Sequence, residues 1–138
     1  MGISEARWLG GVYEFTYAYL NNRPGLVFTP FDRPEMIFAT LAAFYQNIPV
    51  AQVHAGDKSK GTWDDTTRHS ISLYATLHFC NGEKSKRRVE RLLKSIGKEN
   101  TRVFDVGSTA FDGIELDESI VPRQPYNLVL YNVPSSNP

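Results

Sequence analysis

The chain has 138 residues with 15 basic and 15 acidic side chains, a formal net charge of +0, and a hydrophobic share of 41%. That is apolar material for one buried core, and the balanced charge gives no field to recruit nucleic acid or an anionic membrane surface. The single cysteine, Cys80, excludes an internal disulfide and agrees with a reducing compartment, so a cytoplasmic location is expected.

Met1 to Arg7 show no basic stretch leading into an apolar one, and the most apolar run, Met36 to Tyr45, is far shorter than the ~20 residues of a membrane span. The chain reads as soluble and unanchored. Glu5 to Leu20 reads as a helix closed by Asn21-Asn22-Arg23-Pro24-Gly25, although Gly10-Gly11 argues against it. Leu26 to Thr29, between Gly25 and Pro30, is a short apolar run of the kind found in buried parallel strands. Asp32 and Glu35 have capping-box spacing for a following helix, along which Ile37, Leu41 and Phe44 repeat at helical intervals. Pro49 to Ala55 gives the next strand, followed by a polar loop and a helix opened by Asp64-Asp65. Leu77 to Cys80 reads as a third strand, Asn81 as the cap of a helix with the stripe Val89, Leu92, Leu93 and Ile96, and Gly97 as its end.

Thr101 to Val106 supplies a fourth strand and Ser108 to Ile114 a short helix. Glu115 to Pro125, acidic and with two prolines, reads as a linker, and Asn127 to Val133 as one more strand. The expected division is therefore a Rossmann-like unit over residues 1–114, a linker over 115–126, and the first strand of a truncated second domain over 127–138. Strands alternating with helices predict an α/β fold, a partial parallel sheet flanked by helices, whose ligand site lies beyond the C-terminal ends of the strands.

The residues with chemical potential gather at that end. Asp32-Arg33-Pro34-Glu35 directly follows a strand, where Asp32 can cap its helix, face a cleft, or do both. His54-Ala55-Gly56-Asp57 sets an imidazole and a carboxylate around a glycine, a pattern equally suited to a turn. In Asp64-Asp65-Thr66-Thr67-Arg68-His69, helical spacing sets Asp64 against Arg68 and Asp65 against His69, either as a functional pair of acid–cation contacts or as a solvated first turn. There is no HExxH, cysteine pair or calcium loop, so no metal site is expected. Lys84, Lys86, Arg87, Arg88, Arg91 and Lys94 read as the solvated face of a helix. No Walker loop or GxGxxG stands in the chain.

In order and spacing, Asp32 to Met36, Ile48 to Asp57 and Gly61 to His69 resemble the UDP-N-acetylglucosamine 2-epimerases. The resemblance continues through Leu77-His78-Phe79, Asn81-Gly82-Glu83 and Arg102 to Ser108 before Asp112, and covers roughly Ala6 to Ile114. It implies the latter part of the N-terminal Rossmann-like domain of a two-domain, glycosyltransferase-B type enzyme. A fragment of this kind is expected to be inactive alone, with no cofactor and a UDP-sugar as its partner. By resemblance, Asp32, Asp57, Asp64, Asp65 and His69 are the catalytic candidates, and Arg33, His54, Arg68 and Ser108 the substrate-binding ones. A His-x-Gly-acid turn followed by acid-acid-x-x-Arg-His resembles the hydrolysing branch, which releases UDP and N-acetylmannosamine. The alternatives are the non-hydrolysing branch, which makes UDP-N-acetylmannosamine, a non-catalytic interaction module on the same fold, and a glycosyltransferase of similar architecture. Three departures stand out: Phe31 where the family usually has glycine, Asp57 where a glutamate is common, and Tyr131 to Pro134 where a histidine-proline pair is expected. Half a sheet leaves apolar surface uncovered, so a homo-oligomer or strand-exchanged assembly is expected.

Overall fold

The computed structural model describes residues 5–30, 32–59, 64–115 and 117–130, with side chains from residue 10 onward. In chain order the elements are α1 (Glu5–Asn21), β1 (Val27–Pro30), α2 (Pro34–Tyr45), β2 (Val50–Val53), α3 (Asp64–Tyr74), β3 (Leu77–Cys80), α4 (Glu83–Lys94) and β4 (Arg102–Asp105). Two short 3-10 turns follow, Thr109–Phe111 and Glu118–Ile120. The four strands lie in the order β1-β2-β3-β4, every pair parallel. This is the expected α/β class, a partial Rossmann-like parallel sheet flanked by helices.

Each strand joins its neighbour through one helix, always stepping in the same direction. Right-handed crossovers of that kind set the connecting helices on one face of the sheet. Both apolar clusters lie there: Val27, Ala43, Ile48, Val50 and Ala75 under α2, and Ala55, Cys80, Val89 and Leu93 with Val103 under α4. Burying a side chain such as Val89 or Leu93 fully contributes ~1.5–3 kcal/mol. A polar layer sits on the same face, where Thr29, Gln52 and His78 are all buried and in register. Pro30, Val53, Phe79 and Phe104 share the opposite face in register, along with Phe28, and the rings of Phe79 and Phe104 stack with centroids 5.6 Å apart. Phe28 is 59% exposed and Phe104 43%.

Local details depart from the sequence reading in instructive ways. Gly10-Gly11 does not break α1, because α1 packs closely on α2 and a Cβ on Gly11 would come within 2.6 Å of the Phe38 ring. The stripe Ile37, Leu41 and Phe44 is not the buried face of α2. Ala39, Thr40, Ala42 and Ala43 are, since α2 lies between α1 and α3 and against β1, where small side chains permit close approach. Asn47, at φ 55°, closes that helix, and the Ile48 amide returns to the Ala43 carbonyl at 2.9 Å. Gly97 closes α4 as expected, with Lys98 N–H bonded to the Leu93 carbonyl. Of the strand expected over Asn127 to Val133, residues 127–130 are unpaired and exposed, and residues 131–133 lie outside the described residues, as does Phe31.

Candidate functional site

Parallel strands leave their last residues and the loops that follow at one end of the sheet. Asp32 follows β1, His54 to Ser59 follow β2, and Asn81 follows β3. The N-terminal turns of α3 and α4 come down beside them. The candidate groups therefore meet without any long excursion of the chain.

Arg68 is the hub. The residue is only 4% exposed, and its guanidinium spans three segments. Nη1 donates to Asp65 Oδ1 at 2.8 Å and to the Asp57 carbonyl at 2.9 Å; Nη2 donates to the Asp32 carboxylate and to Ser59 Oγ at 3.3 Å. Asp65 Oδ1 also accepts from the Ser59 amide at 2.8 Å, pinning the loop before α3. Two of the expected catalytic acids and the expected substrate-binding arginine thus form one cluster. The pairing along α3 is Asp65 with Arg68, three residues apart, rather than Asp64 with Arg68. Asp32 is not the cap of α2: Arg33 holds the cap position with no side-chain bond and Pro34 opens the helix, because Arg68 is the stronger partner for a carboxylate.

A buried chain of hydrogen bonds supports the hub from behind. Gln52 Nε2 donates to the Arg68 carbonyl at 2.8 Å, Ser72 Oγ lies 2.7 Å from Gln52 Oε1, and His78 Nε2 lies 3.0 Å from the Ser72 carbonyl. These bonds fix α3 against β2 and β3. Burial holds the His78 pKa below its ordinary value, while the Ser72 and Arg102 carbonyls partly restore it.

Asp57 is the second centre. Its Oδ1 accepts from Ser85 Oγ at 2.7 Å; its Oδ2 accepts from Asn81 Nδ2 at 2.6 Å and lies 3.2 Å from His54 Nδ1. His54 sits at φ 59° and Gly56 at φ 74°, so the loop is a tight left-handed turn. A Cβ on Gly56 would stand 2.3 Å from the Ser85 carbonyl and 2.7 Å from Val89 Cγ2, so only glycine lets the loop rest on α4. Arg88 donates to the Gly56 carbonyl, clamping the turn from outside. His69 stands nearby with its pKa lowered, first by burial and then by Arg68, Arg88 and Lys58, against the opposing pull of Asp65.

The remaining candidates are less engaged. Arg33 is exposed, and Asp64 is half-buried at the start of α3. Ser108, beyond β4, is half-buried at the start of the 3-10 turn, with no side-chain capping bond. Sequence reasoning missed Asn81, Ser85 and Arg88. Asn81 was expected to cap α4, but Gly82 holds that position and Asn81 turns to Asp57 and His54. The signal was available in the spacing: Asn81, Ser85 and Arg88 lie on successive turns from the end of β3, on the side of α4 that faces the Gly56 loop. Arg88 accordingly leaves the solvated face to which the basic run was assigned, while Arg87 pairs with Glu83 and Lys86 with Glu90. Cys80, fully buried, has its thiol pushed up to about 12, chiefly by burial, and is no nucleophile. A wide cleft at the opposite end of the sheet, among Phe44, Tyr74, Lys98 and Arg102, contains none of these groups.

Comparison with known proteins shows the family. A hydrolysing UDP-N,N'-diacetylbacillosamine 2-epimerase of Legionella pneumophila is 38% identical over 100 residues, which are 72% of this chain and 25% of that protein. A hydrolysing GDP/UDP-N,N'-diacetylbacillosamine 2-epimerase of Campylobacter jejuni is 35% identical over 96 residues, 70% of this chain and 24% of that protein. The crystal structure of UDP-GlcNAc 2-epimerase from Neisseria meningitidis bound to UDP-GlcNAc superposes with a TM-score of 0.65 at 27% identity, covering 76% of this chain and 28% of that one. The chain therefore spans about a quarter of the length of the curated relatives it matches. Among the described residues, no helix is long and apolar enough to cross a membrane. The family model for UDP-N-acetylglucosamine 2-epimerase matches residues 7–132, and the chain belongs to that family.

Proposed function

We propose that this chain is the latter part of the first domain of a hydrolysing UDP-N-acetylglucosamine 2-epimerase, one half of a glycosyltransferase-B type fold, acting in the cytoplasm and inactive alone. The observation that carries the reading is the gathering of Asp32 and Asp65 on one buried guanidinium, with Asp57 held by Ser85 and Asn81 beside it, all beyond the ends of parallel strands. Departure of UDP builds positive charge on the sugar ring, and carboxylates there stabilise it. A second carboxylate takes the C2 proton, giving a 2-acetamidoglucal to which water then adds. Asp57 and Asp65 are assigned those tasks, with Asp32, Asp64 and His69 completing the catalytic group. Arg33, His54, Arg68 and Ser108 form the substrate-binding group: Arg33, exposed, meets the phosphates, and Arg68 orients the carboxylates it holds. Residues 115–126 act as a linker and residues 127–138 begin the second domain.

The relatives that bear the hydrolysing name support that branch over the non-hydrolysing one. They also favour a second reading of the substrate, a UDP-2,4-diacetamido sugar in place of UDP-N-acetylglucosamine. Proton and phosphorus NMR time courses with each sugar nucleotide test both. The chain alone is expected to leave the spectra unchanged. The full-length protein that contains it is expected to release UDP and the C2-inverted free sugar. Inversion with UDP still attached would overturn the hydrolysing reading, and turnover by the chain alone would overturn its inactivity.

A further inference from the structure

Asn81 stands between the two side chains of the Gly56 turn. We infer that Asn81 sets the tautomer of His54, directing the ring proton of its neutral form to Nε2, and so acts as a positioning residue of the site. The argument starts from Asp57. An ionised carboxylate only accepts, so the Asn81 atom 2.6 Å from Asp57 Oδ2 must be the amide nitrogen; the amide oxygen there would set two acceptors against each other. That nitrogen carries two hydrogens, and the second lies toward His54 Nδ1 at 2.5 Å. A ring nitrogen that accepts from an N–H bears no proton of its own. In the neutral ring the proton must then sit on Nε2.

Without Asn81 the pair would settle differently. His54 Nδ1 is 3.2 Å from Asp57 Oδ2 across a single tight turn, close enough to donate directly. That bond would place the proton on Nδ1. Asn81, arriving from the end of another strand, adds two shorter contacts, to His54 at 2.5 Å and to Asp57 at 2.6 Å, which compete with the direct one at 3.2 Å. The inference rests on the proposed reading of the site and deepens it. A ring whose Nε2 bears the proton cannot accept one there, which leaves proton abstraction to a carboxylate.

Long-range proton–nitrogen correlation spectra of the chain, with its histidines labelled with nitrogen-15, read the tautomer directly. They are recorded near pH 8, above the ordinary histidine pKa of ~6.5. Substitution of His69 and His78 one at a time assigns the three rings. The expected result is a protonated Nε2 and an acceptor-type Nδ1 for His54, changing to a protonated Nδ1 in Asn81→Ala, with the His78 signals unmoved as a sign of intact folding. A protonated Nδ1 in the unsubstituted chain would overturn the inference, and that outcome does not depend on the folding of Asn81→Ala. An unchanged His54 tautomer in a folded Asn81→Ala chain would overturn it too. No sugar nucleotide enters the experiment, so its outcome is independent of the turnover tests above.

Discussion

Arg68 Nη1 stands 2.8 Å from Asp65 Oδ1, one turn back along α3, while Nη2 of the same side chain bonds to Asp32, 36 residues earlier in the chain. One cation therefore closes a loop between the first strand and the third helix. Removing one partner of a buried pair typically costs ~3–5 kcal/mol because the other charge is left unmatched. The side chains of Asp65 and Asp32 are 20% and 26% exposed, which draws the expected loss for Arg68→Met to about 2–3 kcal/mol. Urea unfolding should show it as a lower midpoint, with Arg68→Lys in between. An unshifted midpoint for Arg68→Met would mean that the cluster is solvated in solution.

The two histidines with lowered pKa give a pH dependence of definite sign. His78 is depressed by burial, and His69 by burial and by its cationic neighbours. The unfolded chain therefore takes up protons near the ordinary value of ~6.5 while the folded chain does not. Their contribution to stability is fully present above that value and is lost as pH falls through it toward the lower folded values. Thermal unfolding near pH 5.5 should occur at a lower temperature than near pH 7.5, and His78→Gln should flatten the difference. Equal midpoints for the unsubstituted chain would contradict the burial of these rings.

Gly56→Ala is expected to be costly for two separable reasons. The left-handed backbone alone costs a non-glycine residue ~1–2 kcal/mol, and the new methyl would press on the Ser85 carbonyl and Val89. Gly107 offers the control: its φ is 73°, yet a Cβ there meets nothing within 4 Å. Gly107→Ala should show the backbone cost only, and Gly56→Ala a larger one. Similar unfolding midpoints for the two would mean that the loop does not rest on α4.

The sheet face opposite the helices bears on the self-association expected from the sequence. Phe28 and Phe104 stand on it substantially exposed, Phe104 stacked on Phe79. Light scattering should give a mass above that of one chain, falling toward it in Phe28→Thr/Phe104→Thr. A monodisperse single chain before substitution would overturn that expectation.

Much of the fold was legible because it rests on local pattern. The run Leu77 to Cys80 is β3 to the residue, and the 3.6-residue spacing of Val89 and Leu93 identified the buried face of α4. The errors arose where a side chain had both a local partner and a distant one. Asp32 has the spacing of a cap and Asn81 the chemistry of one, yet each is taken by a residue far along the chain: Arg68 for Asp32, His54 and Asp57 for Asn81. Spacing within a segment cannot rank such competitors. In the same way, the alanines of α2 became the buried face only because two other helices flank it.

The strand order β1-β2-β3-β4 also bears on how quickly the chain organises itself. Every strand pairs with the one that follows it, after a single intervening helix, and each helix packs mainly on its neighbours in sequence. Each pairing closes a loop of similar length, one crossover helix with its connections, so the loop-closure entropy is nearly the same at every step and does not mount along the chain. Assembly can proceed by adding one strand–helix unit after another, each parallel pairing waiting for its crossover helix and so forming more slowly than a local hairpin. The Arg68 bond to Asp32, spanning 36 residues, can form only once the helix that carries it has docked.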